Sequence, residues 1–499
     1  MGKLISASGV QQGDPLDPLL FALVLNDTIT KIAQDPLCGS LQSNFWYLDD
    51  GVLSGPRSRA MDIIQGDSTS NDFEILGAPI GSHDFCTAFI ERKLKEANQL
   101  LSLLPKLCDP QSAIALLRVC ASFCRLAHLA RSIPPTTASL EAFAKFDDDV
   151  LHCLECSVEI ELTPRACNQA KLGLKYEGLG LRSLAMHAQA AYIASLSTSL
   201  TPIQPSDLTM QRLCDAIMVF NGKVACCEQL SVEHVEDVLA TFQHQHKLSS
   251  AIGKAGFLSL LDGASTVDKA RLLATSAPQA HAWLRAQPSP KLGLDLLPIE
   301  VQALVKWWLW LPVFTDADAC PHCSQTLDIH GHHALIRHAD FCCRACLAPE
   351  LERGCGLTST KDRTRPADVL VPNWSLSRSA AFDLKVINPL NSNFLLGASM
   401  TSGYTAELGE KDKHSKNDIP CTERGWVCVP LVVEVFGGWG NEAQEALSRV
   451  AKKLAIRISR FWPEVLASMY CHLGITLMRQ NARALLGRRS TSEVDNCLV

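Results

Sequence analysis

Arg365-Pro366-Ala367-Asp368-Val369-Leu370-Val371 and, nine residues on, Ala380-Ala381-Phe382-Asp383-Leu384-Lys385-Val386 are the two runs on which the reading of the fold turns. Each is short, apolar and rich in β-branched or aromatic residues, and Pro372, Asn373 and the serines up to Ser379 separate them with turn chemistry. A hairpin follows as the expectation. Side chains alternate along a strand, so Asp383 and Lys385 share one face and Leu384 takes the other. Asp368 approaches that face from the paired strand. Two carboxylates and an ammonium gathered at a sheet edge can hold a divalent cation and position an attacking water.

The remainder of the chain sets limits on this reading. Its 499 residues allow about three domains. A hydrophobic content of 47% with 20% charged residues excludes a disordered chain. The apolar runs Leu19 to Leu25 and Trp307 to Val313 are too short to span a bilayer, and the first residues lack the basic-then-apolar layout of a signal peptide. A nuclear or cytoplasmic protein without membrane association is expected, its 21 cysteines held as thiols. The net charge of −6 (46 basic against 52 acidic groups) means that any nucleic-acid contact must come from local basic surface.

Near the start, Gly9 to Asn26 reads GVQQGDPLDPLLFALVLN. Asp17 suits a helix N-cap and Pro18 its first turn, and Leu19, Leu20, Leu23 and Ile29 carry helical spacing to about Lys31. Phe45 to Leu53 reads as two strands around the acidic turn Asp49-Asp50-Gly51; adjacent carboxylates there suit a bound cation, and an ordinary Asp-Gly hairpin turn is the plain alternative.

QGDPL followed by YLDD resembles motifs B and C of the reverse transcriptases of non-long-terminal-repeat retrotransposons, and Pro-x-Asp, a turn and Asp-x-Lys resembles the PD-(D/E)-x-K nuclease core of their restriction-like endonucleases. The resemblance implies that Asp49 and Asp50 are ligands of catalytic Mg²⁺, that Gln12 and Gly13 lie in the loop against nucleotide and template, and that Phe73 to Gly81 is the strand and turn where palm gives way to thumb. It implies DNA and RNA as partners, meaning target DNA and element RNA, and a full-length element protein that could act in trans. A carboxylate strand and fingers are expected ahead of QGDP, but Met1 to Val10 contains no Asp or Glu. Asp17 stands where a small residue is usual, and the stretch between Leu53 and Phe73 is short. Polymerase activity is therefore not expected of this chain.

Downstream, Cys320-Pro321-His322-Cys323 with His332, His333 and His338 has the spacing of a structural Zn²⁺ site, with His330 competing and the fourth ligand being His338, Cys342 or absent. By resemblance this is the knuckle that precedes the nuclease. Gly178 to Arg182 reads as a plain turn before a helix, and Trp307, Trp308 and Trp310 as an apolar helix stripe or, less simply, as base-stacking surfaces. In the charged stretch Glu407, Glu410, Lys411, Lys413, His414 and Lys416, the resemblance points to a basic residue that assists catalysis, for which Lys413 is selected; a solvated helix face is the alternative. Trp426 to Val435 reads as a buried strand and Phe436 to Gly440 as a turn. Asn441 is expected to cap the next helix, with Leu447, Val450, Leu454 and Ile458 inward and Glu445–Arg449 paired outside.

The expected fold is α/β (α+β): a truncated reverse-transcriptase palm over 1–85, thumb-like helices over 86–138, a mainly helical linker over 139–312, a zinc-knuckle segment over 313–345, a small α/β restriction-like endonuclease domain over 346–470 and a basic tail over 471–499. The expected activity is DNA nicking that depends on Mg²⁺ or Mn²⁺, with Asp368 and Asp383 as metal ligands and Lys385 polarising phosphate or water. The competing expectation is an inert nucleic-acid-binding remnant of a decayed element.

Overall fold

The second of the two opening runs, Ala380 to Val386, lies at the centre of a three-stranded sheet. The computed structural model describes residues 43–47, 50–54, 72–75, 77–199, 207–231, 245–315, 320, 328–335, 367–375 and 378–488. The chain divides into two compact units, Met1–Phe89 and Ile90–Val499. In the first, β1 (Ser43–Tyr47) and β2 (Asp50–Ser54) pair antiparallel, Tyr47 with Asp50, so the two expected strands are present, and Asp50 and Gly51, read as turn, belong to β2. A second hairpin, β3 (Phe73–Ile75) and β4 (Ala78–Ile80), turns at Gly77, whose φ of 73° suits glycine. The helix α1 (His83–Leu101) crosses the boundary between the units. Asp17, Gln12, Gly13 and Asp49 lie outside the described residues.

The second unit is mostly helical. Its first part contains α2 (Pro110–Leu116), α3 (Phe123–Ser132), α4 (Thr137–Val158), α5 (Pro164–Ala170), α6 (Leu184–Ser199) and α7 (Asp207–Asn221). It continues with α8 (Gln245–Asp262), α9 (Thr266–Thr275), α10 (Ala282–Arg285) and α11 (Pro298–Trp308). The stretch Pro110–Ser132 is long and apolar enough to cross a membrane, but half of it is buried inside the fold, and a π-turn at Leu117–Ala121 interrupts it. The Gly178 to Arg182 segment is a turn: the Leu179 and Leu181 amides donate to Ala170 O, and the following helix is capped by Asp147, which accepts from the Leu184 amide at 2.6 Å. Trp307 and Trp308 are fully buried, Trp307 stacked on Phe436 at 4.3 Å between ring centroids and Trp308 donating to Glu177 O. They are core residues, and base stacking at these two positions is excluded by burial.

The sheet contains β5 (Val369–Ser375), β6 (Arg378–Ile387) and β7 (Val427–Glu434), in the order β5-β6-β7. β5 pairs antiparallel with β6, and β6 pairs parallel with β7. The strands outrun the sequence reading. β5 continues through Pro372 and Asn373 with an irregular register, the left-handed φ of 53° falling on asparagine, and Ser375 pairs with Arg378 at the end of the ladder. The parallel pair needs a long connection. It is supplied by the short α12 (Leu395–Ala398) and by α13 (Tyr404–Glu423), which packs on β7.

After β7 come α14 (Asn441–Ile458) and α15 (Trp462–Leu486). α14 corrects three expectations. Its N-terminus is not capped by Asn441: the Glu410 carboxylate of α13 accepts from the Glu442 and Ala443 amides, and a Cβ at Gly440 would lie 2.1 Å from that carboxylate. Its buried face is Ala443, Ala446, Leu447, Ala451 and Ala455, while Leu454 and Ile458 are exposed. Arg449 pairs not with Glu445 but with Trp374, its guanidinium 4.3 Å from the ring centroid and bonded to the Trp374 carbonyl. Residues 471–486 are no tail: they form the second half of α15, with Ile475, Met478 and Leu485 fully buried.

Glu434, at the end of β7, is 1% exposed; Thr405 donates to its Oε1, and Oε2 has no hydrogen-bond partner among the described residues. Burial pushes its carboxyl up to about 7 against the opposing hydroxyl of Thr405. The folded state therefore binds a proton that the unfolded chain, with an ordinary Glu near 4.3, has released. Stability must fall as pH rises from about 4 to about 7 and level off above that. Glu434→Gln is expected to remove this slope and to be the more stable protein at pH 8 by about 1–3 kcal/mol. Urea midpoints measured across pH check it; parallel curves for the two proteins would count against it.

Candidate metal-binding site on the sheet

Asp368 stands just ahead of β5, tied to its partner strand by its own amide, which donates to Phe382 O at 2.9 Å. Its carboxylate Oδ2 accepts from the Leu384 amide at 2.7 Å, which turns the side chain toward Asp383. Asp383, on β6 opposite Pro430 of β7, is buried. Two side chains one helical turn apart on α13 reach it: Lys413 Nζ donates to Oδ1 at 2.6 Å and Asn417 Nδ2 to Oδ2 at 2.5 Å. Asp368 is pushed up to about 6, first by burial and then by the neighbouring Asp383 carboxylate, with the Leu384 amide and the Lys413 ammonium pulling the other way. The two acids thus meet, and the local negative charge is incompletely matched.

Lys385 is not the ammonium that meets them. It shares a face with Asp383, as period-2 alternation requires, but its Nζ bonds Asp412 Oδ2 at 2.8 Å. Asp412 also takes Lys416, and these two lysines hold its carboxyl below the usual range. Lys413 occupies the place read for Lys385. Asn417 and Asp412 are site residues the sequence did not announce; the four-residue step from Lys413 to Asn417 and from Asp412 to Lys416 is the signal that would have found them. Glu407 and Lys411 pair on the exposed helix face at 2.6 Å, the solvated arrangement weighed for this stretch.

Of the knuckle residues, Cys320, His332 and His333 are described, and Cys323, His338 and Cys342 lie outside the described residues. Cys320 and His332 are both well covered. The His332 ring nitrogens make no hydrogen bond among the described residues, the Asp328 carboxylate standing 3.8 Å from Nε2. His330 is stacked on Trp310 at 4.3 Å and leans on the Leu311 carbonyl. Asp50 begins β2, and its side chain lies outside the description. The described cysteines form no disulfide. No protein-family model matches the chain, and no curated protein matches it.

Proposed function

We propose that this chain is the C-terminal part of a non-long-terminal-repeat retrotransposon polyprotein whose sheet unit nicks DNA with a divalent cation. The observation that carries the reading is the meeting of Asp368 and Asp383 beside Lys413. Hard carboxylate oxygens and unmatched negative charge fit Mg²⁺ or Mn²⁺, with Asp368 and Asp383 as the protein ligands. When bound, such an ion supplies Lewis acidity and an ionised water at neutral pH. The chain's own residues then orient and neutralise. Asn417 and Lys413 fix the Asp383 carboxylate, the Leu384 amide fixes Asp368, and the Lys413 ammonium would offset charge gathering on a phosphate oxygen bound beside it. Asp412 keeps Lys385 turned aside.

Target DNA is the substrate in this reading, element RNA a second partner, and a Zn²⁺ knuckle at Cys320, Cys323 and His332, His333 or His338 an accessory contact. A non-catalytic nucleic-acid binder is the second reading, favoured by a cavity of about 670 Å³ among α3, α6 and α8. Arg118, Lys171, Lys175 and Arg182 line it, and no carboxylate does.

Supercoiled plasmid incubated with the full chain and Mg²⁺ separates the readings. Nicking is expected, with Lys413→Ala slower by about 10–100-fold and Lys385→Ala within a few-fold of the parent. Equal activity in parent and Lys413→Ala would reject Lys413 as a participant. Salt-sensitive binding without nicking in Mg²⁺ or Mn²⁺ would favour the second reading.

A further inference from the structure

Interleaved with the Lys413–Asn417 pair on α13, and running on to Cys421, is a second group of side chains. His414, Asp418 and Cys421 follow one another at steps of four and three, so they share one face. Cys428, the second residue of β7, comes up against that face from the sheet. The ligand atoms of His414, Asp418 and Cys428 all lie within 4.8 Å of one another. The Cys421 thiol adjoins the group through one member: it is buried and hydrogen bonded to the Cys428 thiol.

We propose that His414, Asp418, Cys421 and Cys428 form a Zn²⁺ site that fastens the C-terminal half of α13 to β7. The donor chemistry selects the ion. One imidazole, one carboxylate and two thiols is a four-ligand set of the kind that tetrahedral Zn²⁺ takes, whereas Mg²⁺ and Ca²⁺ take oxygen. Zinc bonds of about 2.0–2.3 Å place neighbouring ligand atoms about 3.3–3.8 Å apart, so His414, Asp418 and Cys428 have to close by about 1 Å, and Cys421 has to move in beside Cys428.

The arrangement of His414 is the second, independent sign. Its Nδ1 faces Asp418 Oδ1 at 2.8 Å, and its Nε2 is held by both oxygens of Glu442 at 2.9 Å. A histidine that ligates a metal through one nitrogen characteristically donates its other N–H to a carboxylate, which fixes ring and tautomer. Glu442 is in the first turn of α14, so one interaction ties three elements together. On ligation the two thiols and His414 Nδ1 lose their protons to solvent, Nε2–H stays on Glu442, and Asp418 exchanges its bond to His414 for one to the ion. The site shares no residue with Asp368, Asp383 and Lys413, nor with the Cys320 segment, and does not rest on the nuclease reading.

The test is metal content and cobalt spectroscopy on the full chain. Chain equilibrated with Zn²⁺ and desalted is expected to retain one equivalent that the Cys421→Ser/Cys428→Ser double variant loses, and Co²⁺ in its place should show thiolate-to-cobalt charge transfer and tetrahedral absorption. Cys320→Ser/Cys323→Ser keeps this equivalent and this spectrum whatever becomes of the knuckle. Because burying two hydroxyls can unfold a protein, partly exposed His414→Ala provides the second arm: it should lose the same equivalent with an unchanged circular dichroism spectrum. Glu442→Gln should keep the ion but bind it about 10–100-fold more weakly in competition with a chelator. Zinc content and cobalt spectrum identical in the parent, His414→Ala and the cysteine double variant would overturn the site, leaving an imidazolium ion pair only. A parent that retains no zinc beyond what Cys320→Ser/Cys323→Ser removes would overturn it equally.

Discussion

Asp383→Ala is expected to lower plasmid nicking by at least about 10²–10³-fold, the loss of several kcal/mol of transition-state stabilisation. The residue sits on the middle strand of the described sheet, buried, with Lys413 and Asn417 on its two oxygens. Truncation removes one of the two carboxylates proposed to hold the cation and releases the ammonium from its place. A second readout needs no turnover. Asp368 and Asp383 repel one another when no cation is present, and burial makes that repulsion worse. Adding Mg²⁺ to the parent should therefore raise its melting temperature, by an amount that grows as RT ln(1 + [Mg²⁺]/Kd). Asp368→Asn relieves the repulsion while keeping the shape, so it should melt higher than the parent in cation-free buffer and respond little to Mg²⁺. If the parent melts at the same temperature with and without Mg²⁺ and Mn²⁺, no cation is bound there. If it responds and Asp368→Asn responds equally, the cation is bound elsewhere.

How much of this is legible in the sequence divides along the range of the interactions. Strand existence and the side on which Asp383 falls depend on neighbours two residues apart, and the hairpin followed from them. Lys385 was read as Asp383's companion because both point to one face. Its choice of Asp412 is settled by where α13 lies, 27 residues downstream, and no local pattern reports that. The cap of α14 fails for the same reason: Asn441 is the local candidate, yet Glu410 arrives from 32 residues upstream of Glu442. The α14 stripe fails for a different one. Counting large apolar side chains selects Leu454 and Ile458, but the helix presents Ala443, Ala446, Ala451 and Ala455 inward, where small side chains permit close approach. Large residues left outside then read falsely as core. Basic residues near the C-terminus read as a tail because charge is visible in sequence and the burial of Ile475, Met478 and Leu485 between them is not.

Arg271→Ala is expected to destabilise the helical part of the second unit by about 3–5 kcal/mol, the largest single-residue effect on stability predicted for this chain. Arg271 has no exposed side-chain surface. Its guanidinium pairs with Asp268 at 2.7 Å, donates to Gln169 Oε1 at 3.0 Å and bonds the Trp308 carbonyl. The carboxyl of Glu177 is buried without a hydrogen-bond partner among the described residues; burial drives it well above its ordinary value, and the positive charge of Arg271 opposes that rise. Removing the guanidinium leaves the buried Asp268 carboxylate with Arg165, at 2.5 Å, as its cation among the described residues, strips Gln169 Oε1 of its donor and leaves the Trp308 carbonyl only the Gln169 and not the Arg271 bond. The damage should reach the sheet, since Trp307, adjacent to Trp308, stacks on Phe436 just beyond β7. Denaturant midpoints followed by tryptophan fluorescence measure the loss. Arg165→Ala, whose side chain is a third exposed, should cost distinctly less. The buried charge itself can be isolated with Asp268→Leu in the Arg271→Met background: replacing both members of the pair by apolar residues should recover part of the stability lost when only one is removed. A double variant no more stable than Arg271→Met would show that packing volume, not the unpaired carboxylate, sets the cost. A loss below about 1 kcal/mol for Arg271→Ala would mean that the network is not needed to hold Trp308 and the turn at Glu177 in place.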